Sequence, residues 1–180
     1  MSALEAFQPR YTVGDYQQWE GDWELWDGIA VSMSPSPFGN HSALVARLIS
    51  ELSSAIDAQA RNAVVLTALD WIVSKTTVVR PDVLVICDEP TAEHLRSTPP
   101  FVAEVLSPST RERDLTFKRD LYQQEGVSSY LTLDPENKEL RWFGEGAPRG
   151  WDGSVVDDTI SLGLCADCSL DLKHSRLFRR

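Results

Sequence analysis

The chain has 180 residues, of which 42% are hydrophobic and 24% charged, and these fractions exclude collagen-like, disordered and coiled-coil proteins. A chain of this length can bury a core without disulfides or a structural metal, so we expect one domain over residues 1–180. The net charge of −10 argues against a protein that coats nucleic acid with a basic face. It leaves room for a small acidic cleft around a divalent cation.

The sequence contains no apolar run of about 18 residues, which predicts no membrane span. The first residues lack the basic-then-apolar order of a signal peptide, so we expect a cytoplasmic protein. Three cysteines, an odd number, fit a reducing compartment better than a disulfide framework. Cys165 and Cys168 form one CxxC without a second pair, so we expect structural thiols there and at Cys87.

The N-terminal part is predicted to hold a short helix and a hairpin. Thr12 and Asp15 have capping-box spacing, which favours a helix over about 14–19. Asp27-Gly28 lies between two short apolar runs, and this dipeptide favours the positive φ angles of a tight hairpin turn. The loop that follows spans Ser34 to Gly39.

The middle of the chain reads α, β, β, β, α, β. A long amphipathic helix runs from Asn40 to about Ala60, because apolar residues recur there at helical spacing. Short connections make the first strands antiparallel neighbours, and the second helix permits a parallel crossover. The remaining elements are strands at about 63–73, 78–87, 101–106, 129–133 and 139–143, a helix at 111–125, one last strand near Ile160, and a frayed basic tail from His174.

Two acidic residues interrupt apolar strands. Asp82 opens one strand and Glu104 lies inside the next, and a buried carboxylate is costly unless it is paired or bound to a cation. If both face the same side, their oxygens can share one Mg²⁺ ion, since neighbouring strands lie about 4.8 Å apart. The alternative is that each acid lies at a strand end and faces water.

The helix that follows supplies a lysine. Asp114, Lys118 and Tyr122 are spaced i, i+4, i+8 and therefore share one helical face. An exposed ion pair between Asp114 and Lys118 is the structural alternative. Beside two strand carboxylates, a lysine can orient a water or stabilise the charge that develops in phosphodiester hydrolysis.

These residues resemble the Uma-type putative restriction endonucleases of bacteria, within the P-D…(D/E)-x-K nuclease superfamily. The resemblance covers about residues 10–145 and leaves 146–180 as a C-terminal extension. The segments that carry it are Trp23 to Gly28, the Met-Ser-Pro loop at 33–35, His41, Pro81-Asp82, Glu104 to Thr110, Asp114, Lys118 and Tyr122.

The resemblance implies an α/β (α+β) fold with a restriction-endonuclease-like αβββαβ core. It implies Asp82, Glu104 and the Val105 carbonyl as metal ligands and Lys118 as the catalytic lysine. One departure concerns the lysine, because the superfamily places it two residues after the acid, where this chain has Leu106. The Uma-type proteins place it on the next helix instead.

Several other side chains are candidates for the site. Glu24 could add a third carboxylate to the cleft or could be a solvated edge residue. His41 could contact a phosphate near the helix N-terminus or complete the cap region. Arg111 or Arg113 could contact a substrate phosphate, and Tyr122 is a further substrate-binding candidate. Four tryptophans are expected to pack in the core: Trp19, Trp23, Trp26 and Trp71.

We therefore expect an endonuclease that uses Mg²⁺ or Mn²⁺ to hydrolyse DNA, with a possible homodimer extending the surface that meets DNA. One alternative is an inactive nuclease-fold module that binds metal or a partner. Another is a structural protein in which arginines such as Arg80 neutralise Asp82 and Glu104.

Overall fold

A computed structural model describes residues 9–33, 39–59, 62–87, 93–165 and 168–179. The predicted loop at 34–38, with Ser34 and Pro35 of the Met-Ser-Pro motif, lies outside the described residues, and so does the predicted helix end at Ala60. Within the described part of the chain, no helix is long and apolar enough to cross a membrane.

The N-terminal part contains the predicted helix and hairpin. Helix α1 spans Val13–Tyr16, and Thr12 and Asp15 form the predicted capping box across its first turn. The helix is shorter than predicted. Strands β1 (Trp23–Trp26) and β2 (Ile29–Ser32) pair antiparallel around Asp27 and Gly28, whose φ angles of 45° and 82° are the positive values that this turn requires.

Two predicted strands are each divided between two sheets. The run predicted at 63–73 forms β3 (Val64–Thr67) and β4 (Trp71–Ser74), because Ala68 turns the chain with a φ of 49°. The run predicted at 78–87 forms β5 (Thr77–Val79) and β6 (Val83–Ile86). Residues 80–82 lead from one sheet to the other, and Pro81 cannot donate a ladder hydrogen bond there. Strands β4 and β5 join the hairpin in a four-stranded sheet of order β2-β1-β5-β4.

The larger sheet has six strands in the order β10-β9-β8-β7-β6-β3. Strands β7 and β8 run parallel, and the other neighbouring pairs are antiparallel, as the connection lengths predict. Strands β6 and β7 are buried at every position in the middle of this sheet. Besides β3 and β6, this sheet contains β7 (Phe101–Val105), β8 (Ser129–Asp134), β9 (Glu139–Gly144) and β10 (Ser154–Val156).

Helices cover both faces of the large sheet. Helix α2 (Gly39–Ala58) packs its apolar stripe against one face. The opposite face is covered by one continuous helical stretch, predicted at 111–125. It consists of α3 (Arg111–Arg113), a π-helical segment (Asp114–Lys118) and α4 (Arg119–Gln124).

The C-terminal region is more ordered than predicted. Strands β11 (Thr159–Cys165) and β12 (Cys168–Lys173) form a hairpin whose apolar side chains pack with α2, where one strand was expected. The expected frayed tail is wrong up to Arg179, because α5 (His174–Leu177) buries Leu177 and its main chain accepts a hydrogen bond from Arg47.

The expectation of three free thiols is also wrong. Cys87, directly after β6, forms a disulfide with Cys165 at the end of β11, and Cys168 is a buried free thiol. Spacing along the chain did not reveal this bond, because the hairpin brings Cys165 to β6 only through its packing on α2.

Candidate active site

The two strand acids meet where the two sheets are joined. Because β6 and β7 are antiparallel, β6 begins beside the end of β7, and this places Asp82 next to Glu104. The main-chain N–H of Val105 donates to Asp82 Oδ2 over 2.8 Å, and that of Asp82 donates to Glu104 Oε2 over 3.3 Å. The two acids therefore lie on one side of the sheet, as the strand argument requires.

Lys118 reaches this position from the helix on the same face. Its Nζ lies 2.9 Å from Glu104 Oε1, 2.9 Å from Glu24 Oε1 and 3.8 Å from Asp114 Oδ1. The side chain is 6% exposed, so the exposed-pair alternative for Asp114 and Lys118 is wrong. Both residues belong to the π-helical segment, a local widening of the helix that is frequent at functional sites.

Glu24 is part of the same cluster. It lies on β1 with its side chain buried, so the solvated-edge alternative is wrong. Its Oε1 accepts a 2.7 Å hydrogen bond from the main-chain N–H of Arg80, and its Oε2 accepts one from the Trp26 indole over 3.0 Å. With Lys118 added, three protein donors hold this carboxylate.

Tyr122 lies behind the acids instead of on the cleft wall. It is fully buried, stacks on Trp71, and donates its hydroxyl hydrogen bond to Glu104 Oε1 over 2.8 Å. Tyr122 therefore contacts a site carboxylate and does not line the cleft, where it was considered as a substrate-binding residue.

His41 lies at the start of α2 and faces Asp82. Its Nε2 is 3.2 Å from Asp82 Oδ2, and hydrogen bonding to that carboxylate raises the pKa of His41 above its usual value.

The two candidate arginines lie in different places. Arg113 lines the cleft, with its guanidinium carbon 5.6 Å from the Trp26 ring centroid. Arg111 lies outside the cleft lining and pairs with Asp134 over 2.6 Å. Arg80, considered as a neutraliser of Asp82 and Glu104, pairs its guanidinium with Asp70 and Asp22 instead.

Trp26 packs against the core as expected, and it also forms part of the cleft wall. Phe117 stacks on the Trp26 ring, with the ring centroids 4.3 Å apart. The sequence signal for this position was the alternation of Glu24 and Trp26 on β1, which points both side chains to the same face. The cleft has a volume of about 250 Å³.

Charge is concentrated and unbalanced in this cleft. Burial raises the pKa of Glu104 well above its usual range, and it raises the pKa of Asp114 to about 6. Burial alone would lower the pKa of Lys118, but the charges of Glu104, Glu24 and Asp114 outweigh it and raise that pKa. Three carboxylates, those of Glu24, Glu104 and Asp114, therefore surround the single Lys118 ammonium group, and Asp82 adjoins Glu104.

The donor set suits a hard divalent cation, because carboxylate and carbonyl oxygens are the ligands that Mg²⁺ and Mn²⁺ prefer. Asp82 and Glu104 adjoin each other and the main chain of Val105. In the part of the chain that the structure describes, no three side chains of His, Cys, Asp or Glu form a group that could hold a metal ion. The case for a metal ion therefore rests on the carboxylates of Asp82 and Glu104, the carbonyl of Val105 and the excess of negative charge around Lys118.

The fold matches that of a solved protein described as a putative nuclease belonging to DUF820 from Anabaena variabilis ATCC 29413. The TM-score is 0.77, the sequences are 19% identical, and the match covers 93% of this chain and 97% of the other. This similarity confirms the mixed α/β, nuclease-like fold class.

The sequence of the chain also matches the model of a protein family. The model of the Uma2 family, described as putative restriction endonuclease, matches residues 13–173. The chain belongs to this family, which confirms the resemblance noted from its motifs. No curated protein matches the chain.

Proposed function

We propose that the protein is a metal-dependent endonuclease that hydrolyses phosphodiester bonds in DNA. The observation that carries the proposal is the contact of Lys118 Nζ with Glu104, 2.9 Å away, beside Asp82. Two strand acids and one helix amine converge in an open cleft, and membership of the Uma2 family supports a nuclease activity.

Asp82, Glu104 and the Val105 carbonyl would hold Mg²⁺ or Mn²⁺. When bound, the ion would supply Lewis-acid stabilisation of the phosphate and a more acidic water. It would also restore the ionised form of carboxylates whose pKa burial raises.

The protein's own groups have separate roles in this proposal. Lys118, kept cationic by the acids around it, stabilises negative charge that develops on the phosphate or orients the attacking water. Glu24 fixes Lys118 from the β1 side, and Tyr122 fixes Glu104 from within the core. Arg113, on the cleft wall, would contact a neighbouring phosphate of the substrate.

An inactive metal-binding or regulatory module is the second candidate. Lys118 is held by Glu24 and Glu104 over 2.9 Å each, and this arrangement also stabilises the fold without chemistry. The net charge of −10 adds to this alternative, because it opposes DNA binding.

Cleavage of supercoiled plasmid DNA in the presence of Mg²⁺ or Mn²⁺ tests the proposal. We expect the wild-type protein to nick or linearise DNA and the Asp82→Ala and Lys118→Ala variants to lose at least about 100-fold in rate. Asp57→Ala and Lys75→Ala, which change exposed side chains of the same charges, are the matched controls.

Circular dichroism must show that each variant is folded. Equal rates in the wild type and in folded Asp82→Ala would contradict the proposal. Mn²⁺ binding by calorimetry without cleavage of any DNA would favour the module.

A further inference from the structure

Arg80 lines both the cleft and a second pocket that also contains Tyr16 and Asp70. Its guanidinium pairs with acids other than Glu24, Glu104 and Asp82. Its Nε lies 2.6 Å from Asp70 Oδ1 and its Nη1 lies 2.7 Å from Asp22 Oδ1. Its main-chain N–H, in contrast, donates to Glu24 inside the cluster. Arg80 thus contacts Glu24 through its backbone, and Asp70 and Asp22 through its guanidinium; Asp22 also lines the cleft.

Asp70 is the firmer of the two anchors. Its side chain is 11% exposed, against 70% for Asp22, so the pair with Asp22 is screened by solvent and the pair with Asp70 is screened much less. Tyr16 donates a 2.8 Å hydrogen bond to Asp70 Oδ2, and His94 Nδ1 lies 3.6 Å from the same oxygen. Both oxygens of Asp70 are therefore engaged, and the carboxylate is fixed in place.

This anchoring matters because the cleft attracts cations. Three carboxylates contact one lysine there, and Arg80 itself lines the cleft. Its backbone lies 2.7 Å from Glu24 Oε1, so the flexible side chain is long enough to reach the site acids after rotation. A guanidinium binds carboxylates in two-point contacts, and it would compete with a metal ion for them.

We propose that Asp70 is a positioning residue that holds the Arg80 guanidinium away from Glu24, Glu104 and Asp82 and so keeps these acids accessible to a divalent cation. The inference rests on the proposed function, because it assumes that Asp82 and Glu104 bind the metal. An arginine guanidinium stays protonated at any working pH, so the competing group is always a cation.

Isothermal titration calorimetry of the DNA-free, full-length protein with Mn²⁺ tests the inference. We expect Asp70→Asn, which keeps the shape and removes the charge, to weaken Mn²⁺ binding roughly tenfold or more. The double variant Asp70→Asn/Arg80→Gln should recover most of the affinity, because the competing guanidinium is gone while the main-chain N–H to Glu24 remains. Asp57→Asn, which removes an exposed carboxylate outside the cleft lining, is the charge-matched control and should leave the affinity unchanged.

Rescue by the second substitution separates positioning from general damage to the fold. If Asp70→Asn binds as the wild type does, or if the double variant stays as weak as Asp70→Asn, the inference is overturned and the proposed function stands. If the wild type binds no Mn²⁺, the proposed function fails and the inference fails with it. Should Asp70→Asn not fold, Tyr16→Phe loosens the same carboxylate and should weaken binding in the same direction; unchanged binding would then overturn the inference.

Discussion

The cleft and the C-terminal hairpin are built in opposite ways. In β11 and β12, buried apolar side chains alternate with exposed, mostly polar positions, so the leucines pack with α2 and the polar side chains face solvent. In the cleft, acids and a lysine are buried among apolar strands and are stabilised by one another. Regular alternation therefore accompanies a part of the chain that serves stability, whereas a broken pattern accompanies a candidate site.

Replacing the cleft lysine should produce the largest loss of stability. Lys118→Met leaves Glu24 and Glu104 buried without their cation, and we expect the free energy of unfolding to fall by about 3–5 kcal/mol. Urea unfolding without metal measures this, and Lys75→Met, at an exposed position, is the control. A loss no larger than that of the control would mean that the cluster is not held by ion pairing.

Removing the disulfide should weaken the hairpin region without affecting the cleft. Cys87→Ser opens the bond to Cys165, and we expect a loss of about 2 kcal/mol. Mn²⁺ affinity should stay unchanged, because Cys87 follows the far end of β6 from Asp82. Dithiothreitol should lower the stability of the wild type to that of the variant and leave the variant unaffected; sensitivity of the variant would contradict this assignment.

The smallest effect concerns the arginine that lies outside the cleft. Burial alone would raise the pKa of Asp134, but hydrogen bonds from Arg111, Asn137 and the main chain outweigh it and lower the pKa. The stabilisation is therefore complete above the unfolded value of about 3.9 and is lost as the pH falls through the lower folded pKa. We expect Arg111→Ala to cost about 1 kcal/mol at pH 7, since Arg111 is partly solvated.

Unfolding midpoints of Arg111→Ala between pH 7 and pH 2 should converge on those of the wild type at the acidic end. Arg113→Ala is the control, because its guanidinium lies over Trp26 and not on Asp134. A constant difference across the pH range would show that Arg111 acts through packing.

The element order and the acids of the site could be predicted from the sequence because they leave local signals. Asp82 and Glu104 interrupt apolar runs, and Lys118 follows Asp114 by one helical turn. Contacts set by tertiary packing left no such signal. The disulfide joins cysteines 78 positions apart, and Arg111 and Arg113, two residues apart, differ in their partners only because the helix turns one of them toward Asp134.

The second strand of the hairpin did leave a signal. Residues 168–173 alternate apolar and polar, but the CxxC spacing and the basic tail favoured other interpretations of that region. The division of two strands between sheets was also readable in part, because Pro81 is disfavoured inside a central strand.

The π-helical segment makes the helix between Arg111 and Gln124 sensitive to length more than to composition. Each residue of an α-helix turns the chain by about 100°, since 3.6 residues complete a turn. Deleting one residue between Asp114 and Lys118 would therefore rotate Lys118 and Tyr122, which both contact Glu104, by about 100° relative to α3. Exposed positions such as Glu112 and Thr116 can vary in type, but we expect insertions and deletions in this stretch to be excluded from functional relatives.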